Sequence, residues 1–187
     1  MTTTQIDQRR RLPWRPIGWG AVALTLLLPL VTNAPWTLSD YIVMGTMLGS
    51  AGLVIELIFR SSPDRFYRGG AALAVVATFL LIWVNGAVGF LGNEDNPANL
   101  LFIGVIAVAI LGAFFAGFRA PGMARAMFAA AAAQAAVGVA ALAFGLGSPG
   151  YDGLYEVTLG TTLFGALWLV SGVLFRKAAA NESAVIS

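Results

Sequence analysis

A chain of 187 residues that is 58% hydrophobic and only 11% charged, with a mean hydropathy of +0.81, has the composition of a membrane protein, since soluble domains carry about 25% charged residues. The absence of Cys and His removes disulfides, thiol catalysis, thiolate or imidazole metal sites and His-ligated haem. The net charge of +2 comes from arginines that flank apolar segments rather than from a basic surface interleaved with aromatics, so no nucleic-acid partner is expected.

Residues 1–15 are polar and basic, with Arg9, Arg10, Arg11 and Arg15 ahead of the first apolar run, Pro16–Thr32. A cleaved signal peptide would need a shorter apolar run and small residues at the cut, whereas Pro35 follows the only polar break here. An uncleaved first helix over 16–32 is therefore expected, with Pro29 inside it. The second helix is read over 38–59. Thr37-Leu38-Ser39-Asp40 has capping-box spacing, a hydroxyl for an orphan N–H and a carboxylate reaching back. Ser62 and Pro63 read as the N-cap and first residue of the third helix, whose membrane part is read over 70–91.

The connection Asn93–Leu100 turns the chain, and Asn96-Pro97 has the form of a cap and first-turn proline. The fourth helix is read over 98–118, with a turn at Arg119-Ala120-Pro121-Gly122. The alanine-dense fifth helix is read over 123–145. A Gly-rich loop, 147–153, leads to the sixth over 155–175, and 178–187 reads as a short polar tail with no packing demand. The expected fold is thus all-α, a polytopic membrane bundle of six transmembrane helices with both termini on one side.

Basic residues decide which side. After the four arginines at the start, Arg60, Arg65 and Arg68 lie between helices two and three, Arg119 and Arg125 between four and five, and Arg176 and Lys177 after six; the other connections carry no Lys or Arg. Positive charge is retained in the cytoplasm on insertion, so both termini are expected there. Asp40, Glu94, Asp95, Asp152 and Glu156 then fall at outer ends, where acidic residues carry little topological weight.

Polar residues within apolar helices are the first candidates for function. Glu56 lies a turn before the end of the second helix, and Arg60, four residues on, can pair with it along one face. Asn85 is followed by Gly86, Gly89 and Gly92, a nearly bare helix side suited to tight packing and one interhelical amide bond. Gln134 sits within Ala129–Ala136 near the middle of the fifth helix and is expected to face protein, bonding a carbonyl or hydroxyl of a neighbour such as a Thr or Ser of helix two or six. A second candidate cluster is the outer polar group Asp40, Glu94, Asp95, Asn96 and Asn99. Oxygen-rich loops can hold divalent cations, but the spacing matches no EF-hand and turn chemistry accounts for it, so no metal is expected.

No nucleotide-binding, zinc-protease or serine-hydrolase motif is present. The chain therefore reads as non-enzymatic and without cofactor. Its partners are expected to be the lipid bilayer and either another membrane protein or a second copy. Of two roles, an accessory or scaffold subunit of a membrane complex is preferred to a small oligomeric permease using Glu56, Asn85 and Gln134. A carboxylate-only intramembrane enzyme through Asp40, Glu94 and Asp95 ranks last.

The string WVNGAVGFLGNEDNPANL, Trp83–Leu100, with GMARAM, Gly122–Met127, and WTLSDYIV, Trp36–Val43, resembles an uncharacterised family of small bacterial multi-pass inner-membrane proteins. The resemblance implies bacterial origin and inner-membrane location, and transfers no activity and no site residue.

Overall fold

The computed structural model describes residues 14–186, so Arg9, Arg10, Arg11 and the rest of the basic segment before residue 14 lie outside the described residues. Within that range the chain forms α1 (Trp14–Val31), α2 (Leu38–Ser61), α3 (Arg65–Ala87), a 3-10 turn (Pro97–Leu100), α4 (Leu101–Phe115), α5 (Ala120–Phe144) and α6 (Tyr151–Ile186), with no strand. Five of these segments are long and apolar enough to cross a membrane, and α1 is shorter. The chain divides into two compact units, one ending at Glu56 and one beginning at Leu57.

The first unit is an antiparallel hairpin. Arg15 binds Glu56, the Trp19 indole lies 3.4 Å from where a methyl on Gly52 would stand, and Leu26 lies 3.9 Å from the same point on Gly45. The box at the start of α2 forms as its spacing predicts: Thr37 N–H donates to Asp40 Oδ2 at 2.7 Å, and Asp40 N–H donates to Thr37 Oγ1 at 3.4 Å.

In the second unit α5 packs against α4 on one side and α6 on the other, and α3 packs along α6. Small residues set these distances. A methyl on Gly112 would stand 2.7 Å from Ala126 Cβ, and one on Gly138 would collide with Thr161, so α5 lies close to both neighbours. Ala120, Ala124, Ala130 and Ala141 line its buried side. Larger side chains fill the centre and ends: Leu81, Phe102, Val105, Met127, Trp168 and Phe175 are almost wholly buried.

Several element ends differ from the sequence reading, each for a local reason. The N-cap of α3 is Asp64 rather than Ser62, because the Asp64 carboxylate accepts Tyr67 N–H at 2.8 Å. Helix α3 stops at Ala87, short of residue 91, since Gly89 takes a left-handed φ of 75° and the chain folds back. Asn96 does cap the next segment, accepting Ala98 N–H at 3.0 Å. The turn before α5 lies earlier than Arg119–Gly122, at the left-handed pair Gly117 and Phe118, whose φ values are 55° and 57°. Pro121 then falls in the first turn of α5, where its missing N–H costs nothing.

The expected polar tail is helical as well. Helix α6 continues unbroken from Phe175 to Ile186, through a run rich in Ala with no Gly or Pro. Ala178 is fully buried, and Asn181 Nδ2 donates to Asp64 Oδ2 at 2.9 Å. Tyr67 Oη donates to the Phe118 carbonyl at 2.7 Å. The start of α3, the α4–α5 turn and the end of α6 therefore meet at one end of this unit. Arg68 closes the last turn of α2 there, donating to the carbonyls of Ser62 at 2.6 Å and Phe59 at 2.8 Å.

Candidate functional site

The polar residues singled out from the sequence fall into three groups with different environments. Glu56 belongs to the first unit. It is buried, and α1 engages both its oxygens: the Arg15 guanidinium donates to Oε1, and Trp19 Nε1 donates to Oε2 at 3.2 Å. The partners are supplied from 41 and 37 residues away. The local pairing read from Arg60 did not foresee them. A carboxylate held by a guanidinium and an indole N–H is fixed in place.

The loop between α3 and the 3-10 turn forms the second group. Asn99 is buried beneath it. Its Oδ1 accepts Phe90 N–H at 3.0 Å and Leu91 N–H at 2.8 Å, and its Nδ2 donates to the Asn93 carbonyl at 2.7 Å. Asn96 Nδ2 donates to the carbonyls of Leu91 at 2.9 Å and Leu146 at 2.7 Å, joining this loop to the one after α5. Glu156 completes the clamp. Its Oε1 accepts Gly92 N–H at 3.0 Å and Ser148 N–H at 2.6 Å, and its Oε2 accepts Ser148 Oγ at 3.0 Å.

Asn96 and Asn99 are thus brought together, while Glu94 and Asp95 stay exposed at the loop surface and Asp40 belongs to the first unit with its own capping role. Among the described residues no three or more His, Cys, Asp or Glu side chains converge as a metal group. The sequence marked Glu156 only as an acidic residue at an outer end. Its role depends on a residue 64 positions away.

The third group lies in the core of the second unit. Asn85 donates to the Leu81 carbonyl of its own helix at 2.6 Å, not across helices as expected, and its Oδ1 is buried without a partner. Gln134 is fully buried, in agreement with the expectation that it faces protein, but neither amide atom has a hydrogen bond. The expected bond to a Thr or Ser is not made. Thr161 Oγ1 and Trp168 Nε1 are likewise buried and unpartnered. Trp168 did not stand out in the sequence, because Trp is an ordinary constituent of apolar helices, and Thr161 was covered only as one of the Thr and Ser residues of the sixth helix. Ser171, one turn further along α6, is satisfied by the Gly70 carbonyl at 2.7 Å.

Comparison with family models, with curated proteins and with solved structures gives no match. What fold and sites define is an all-helical protein with several helices apolar enough to cross a membrane.

Proposed function

We propose that the protein is a six-span integral protein of the bacterial inner membrane, with both termini cytoplasmic, acting as a non-enzymatic accessory or scaffold subunit of a membrane complex. The observation that carries this reading is the α1–α2 hairpin, a unit of its own whose helices stay exposed along most of their apolar length. Leu24, Leu27, Leu28, Leu30, Ile42 and Val43 are all more than half exposed. Such a hairpin offers helix faces to the helices of a partner. The carboxylates best placed for chemistry are already engaged: Glu56 by Arg15 and Trp19, Glu156 by two loops.

The orientation is supported by the gathering of Arg65, Arg68, Arg119 and Lys177 near the end of the second unit where α3 begins and α6 finishes. The 18 residues of α1 reach about 27 Å, near enough to a hydrocarbon core of about 30 Å for a slight local thinning to accommodate it.

The lack of Cys makes single-cysteine reporters clean. Asp95→Cys should react with an impermeant maleimide on intact spheroplasts, and Ser183→Cys only after permeabilisation; the reverse pattern refutes the orientation. Mild extraction and native electrophoresis test the role. The chain should migrate within a larger complex of constant composition, and a chain that always runs alone refutes an accessory subunit.

A small oligomeric permease is the second reading, favoured by the unmatched Asn85 Oδ1 and Gln134 amide. Proteoliposome flux that is unchanged by Asn85→Ala and Gln134→Leu would remove it.

A further inference from the structure

The centre of the second unit holds a set of hydrogen-bonding atoms that the protein itself leaves unmatched: Asn85 Oδ1, Gln134 Oε1 and Nε2, Thr161 Oγ1 and Trp168 Nε1. Gln134 and Trp168 are 0% exposed. Buried polar groups are almost always matched, by protein or by an ordered small molecule. Surrounded by apolar helices they have nowhere else to turn.

Packing register brings the atoms to one level. Gly138 abuts Thr161 and Gly172 abuts Phe128, so Gln134 stands opposite residue 165 or so of α6, about one turn from Thr161 and from Trp168. Thr161, Gly165 and Trp168 follow one another at helical spacing on one side of α6. On α3, Gly70 abuts Phe175, and Phe90 abuts Gly160, which sets Asn85 level with the same stretch. There is also room. A methyl on Gly165 would meet no atom within 4 Å, whereas Gly138, one turn along the facing helix, is tightly closed by Thr161.

The chemistry of the set selects the guest. Trp168 only donates; Asn85 Oδ1 and Gln134 Oε1 only accept; Thr161 and the Gln134 amide do both. No buried ionisable side chain of the second unit is found among the described residues, so a charged guest would be uncompensated. A carbonyl compound would leave the acceptors unmatched, and an ammonium would leave the donors unmatched. A hydroxyl answers both. We propose that Asn85, Gln134, Thr161 and Trp168 form a binding site for a small uncharged hydroxyl-bearing molecule, either water or a hydroxyl of a small polyol such as glycerol. This site is independent of the accessory role and stands or falls separately.

The test is proton NMR of the full chain in nanodiscs with 15N-tryptophan. The Trp168 indole is identified as the signal lost in Trp168→Phe or, should that variant not fold, as the one shifted most by the near-isosteric Thr161→Val. In the wild-type protein it should show direct cross-relaxation with a long-lived hydroxyl guest. Adding glycerol separates the sources: a cross-peak that moves to glycerol protons identifies a polyol site, and an unchanged water cross-peak identifies bound water. Gln134→Leu and Thr161→Val should abolish the signal and lower the thermal midpoint by about 3 °C or more. A wild-type indole with no cross-peak to water or glycerol overturns the proposal. So does a rise in thermal midpoint in both apolar variants, since that means that they relieve unmatched groups rather than evict a guest.

Discussion

Asn99→Ala is the substitution with the most closely defined consequence. The Asn99 amide occupies three backbone groups of the 90–93 segment at 2.7–3.0 Å. Two of these are the N–H groups of Phe90 and Leu91, residues that are 6% and 0% exposed. Alanine leaves both donors buried without an acceptor. Each such loss costs about 1–3 kcal/mol. The Asn93 carbonyl still accepts Asn96 N–H at 3.2 Å, so it adds little. The expected destabilisation is about 2–6 kcal/mol, or about 4–24 °C in thermal midpoint for a chain of this size.

The loss should also be local. Amide exchange at Phe90 and Leu91 should quicken more than at Ala130 in the middle of α5. Asn99→Asp keeps the acceptor and loses the donor, so it should fall between wild type and alanine. Asp95→Ala, at an exposed position of the same loop, should stay within about 0.5 kcal/mol. Thermal unfolding in nanodiscs and hydrogen exchange read both effects. An Asn99→Ala protein that melts within about 2 °C of wild type, with unchanged exchange at Phe90 and Leu91, would show that the clamp does not hold the loop.

Three further outcomes are expected. The Asp64 carboxyl is held below its ordinary 3.8 by the donated bonds from Asn181 first and from Tyr67 N–H second. A depressed folded-state value means that its contribution is full above 3.8 and fades as pH falls through the folded value. An NMR titration should therefore show the Asn181 side-chain amide released only in strong acid, and release already near neutral pH would contradict this. Gly138→Ala should cost about 1–3 kcal/mol by overpacking, because its methyl falls on Thr161; unfolding by denaturant measures it, and a neutral result would mean that α5 and α6 can move apart freely. A double-mutant cycle with Arg15→Gln and Glu56→Gln should give a coupling of about 1 kcal/mol, reduced from a fully buried pair because the Arg15 side chain is 53% exposed; additivity within error would remove the pair as a tie between α1 and α2.

How much was legible depended on range. The capping box at Thr37–Asp40, the cap at Asn96 and the existence of the helices rest on neighbours within a few residues, and they form as the spacing predicts. The end of α3 and the length of α6 did not follow from spacing. Asn99 draws the chain back at Phe90, and Asn181 and Ala178 hold the extended α6 against the unit. Among the candidate residues, Gln134 was correctly placed inside, yet the bond expected of it is absent; Thr161 was covered only as one of the hydroxyls of the sixth helix, and Trp168 carried no sequence signal.

Composition, helical periodicity and the alternation of arginines with bare connections determined on their own that this is an all-helical chain with lipid-compatible segments, because those properties reside in consecutive residues and in the cost of moving charge through hydrocarbon. Only the tertiary structure decided which polar groups are consumed and which are left over. The Glu56 carboxylate meets α1, the Glu156 carboxylate meets two loops, and the Gln134 amide meets no partner. These outcomes depend on residues tens of positions apart arriving at one place, and that is set by how closely small residues let the helices approach.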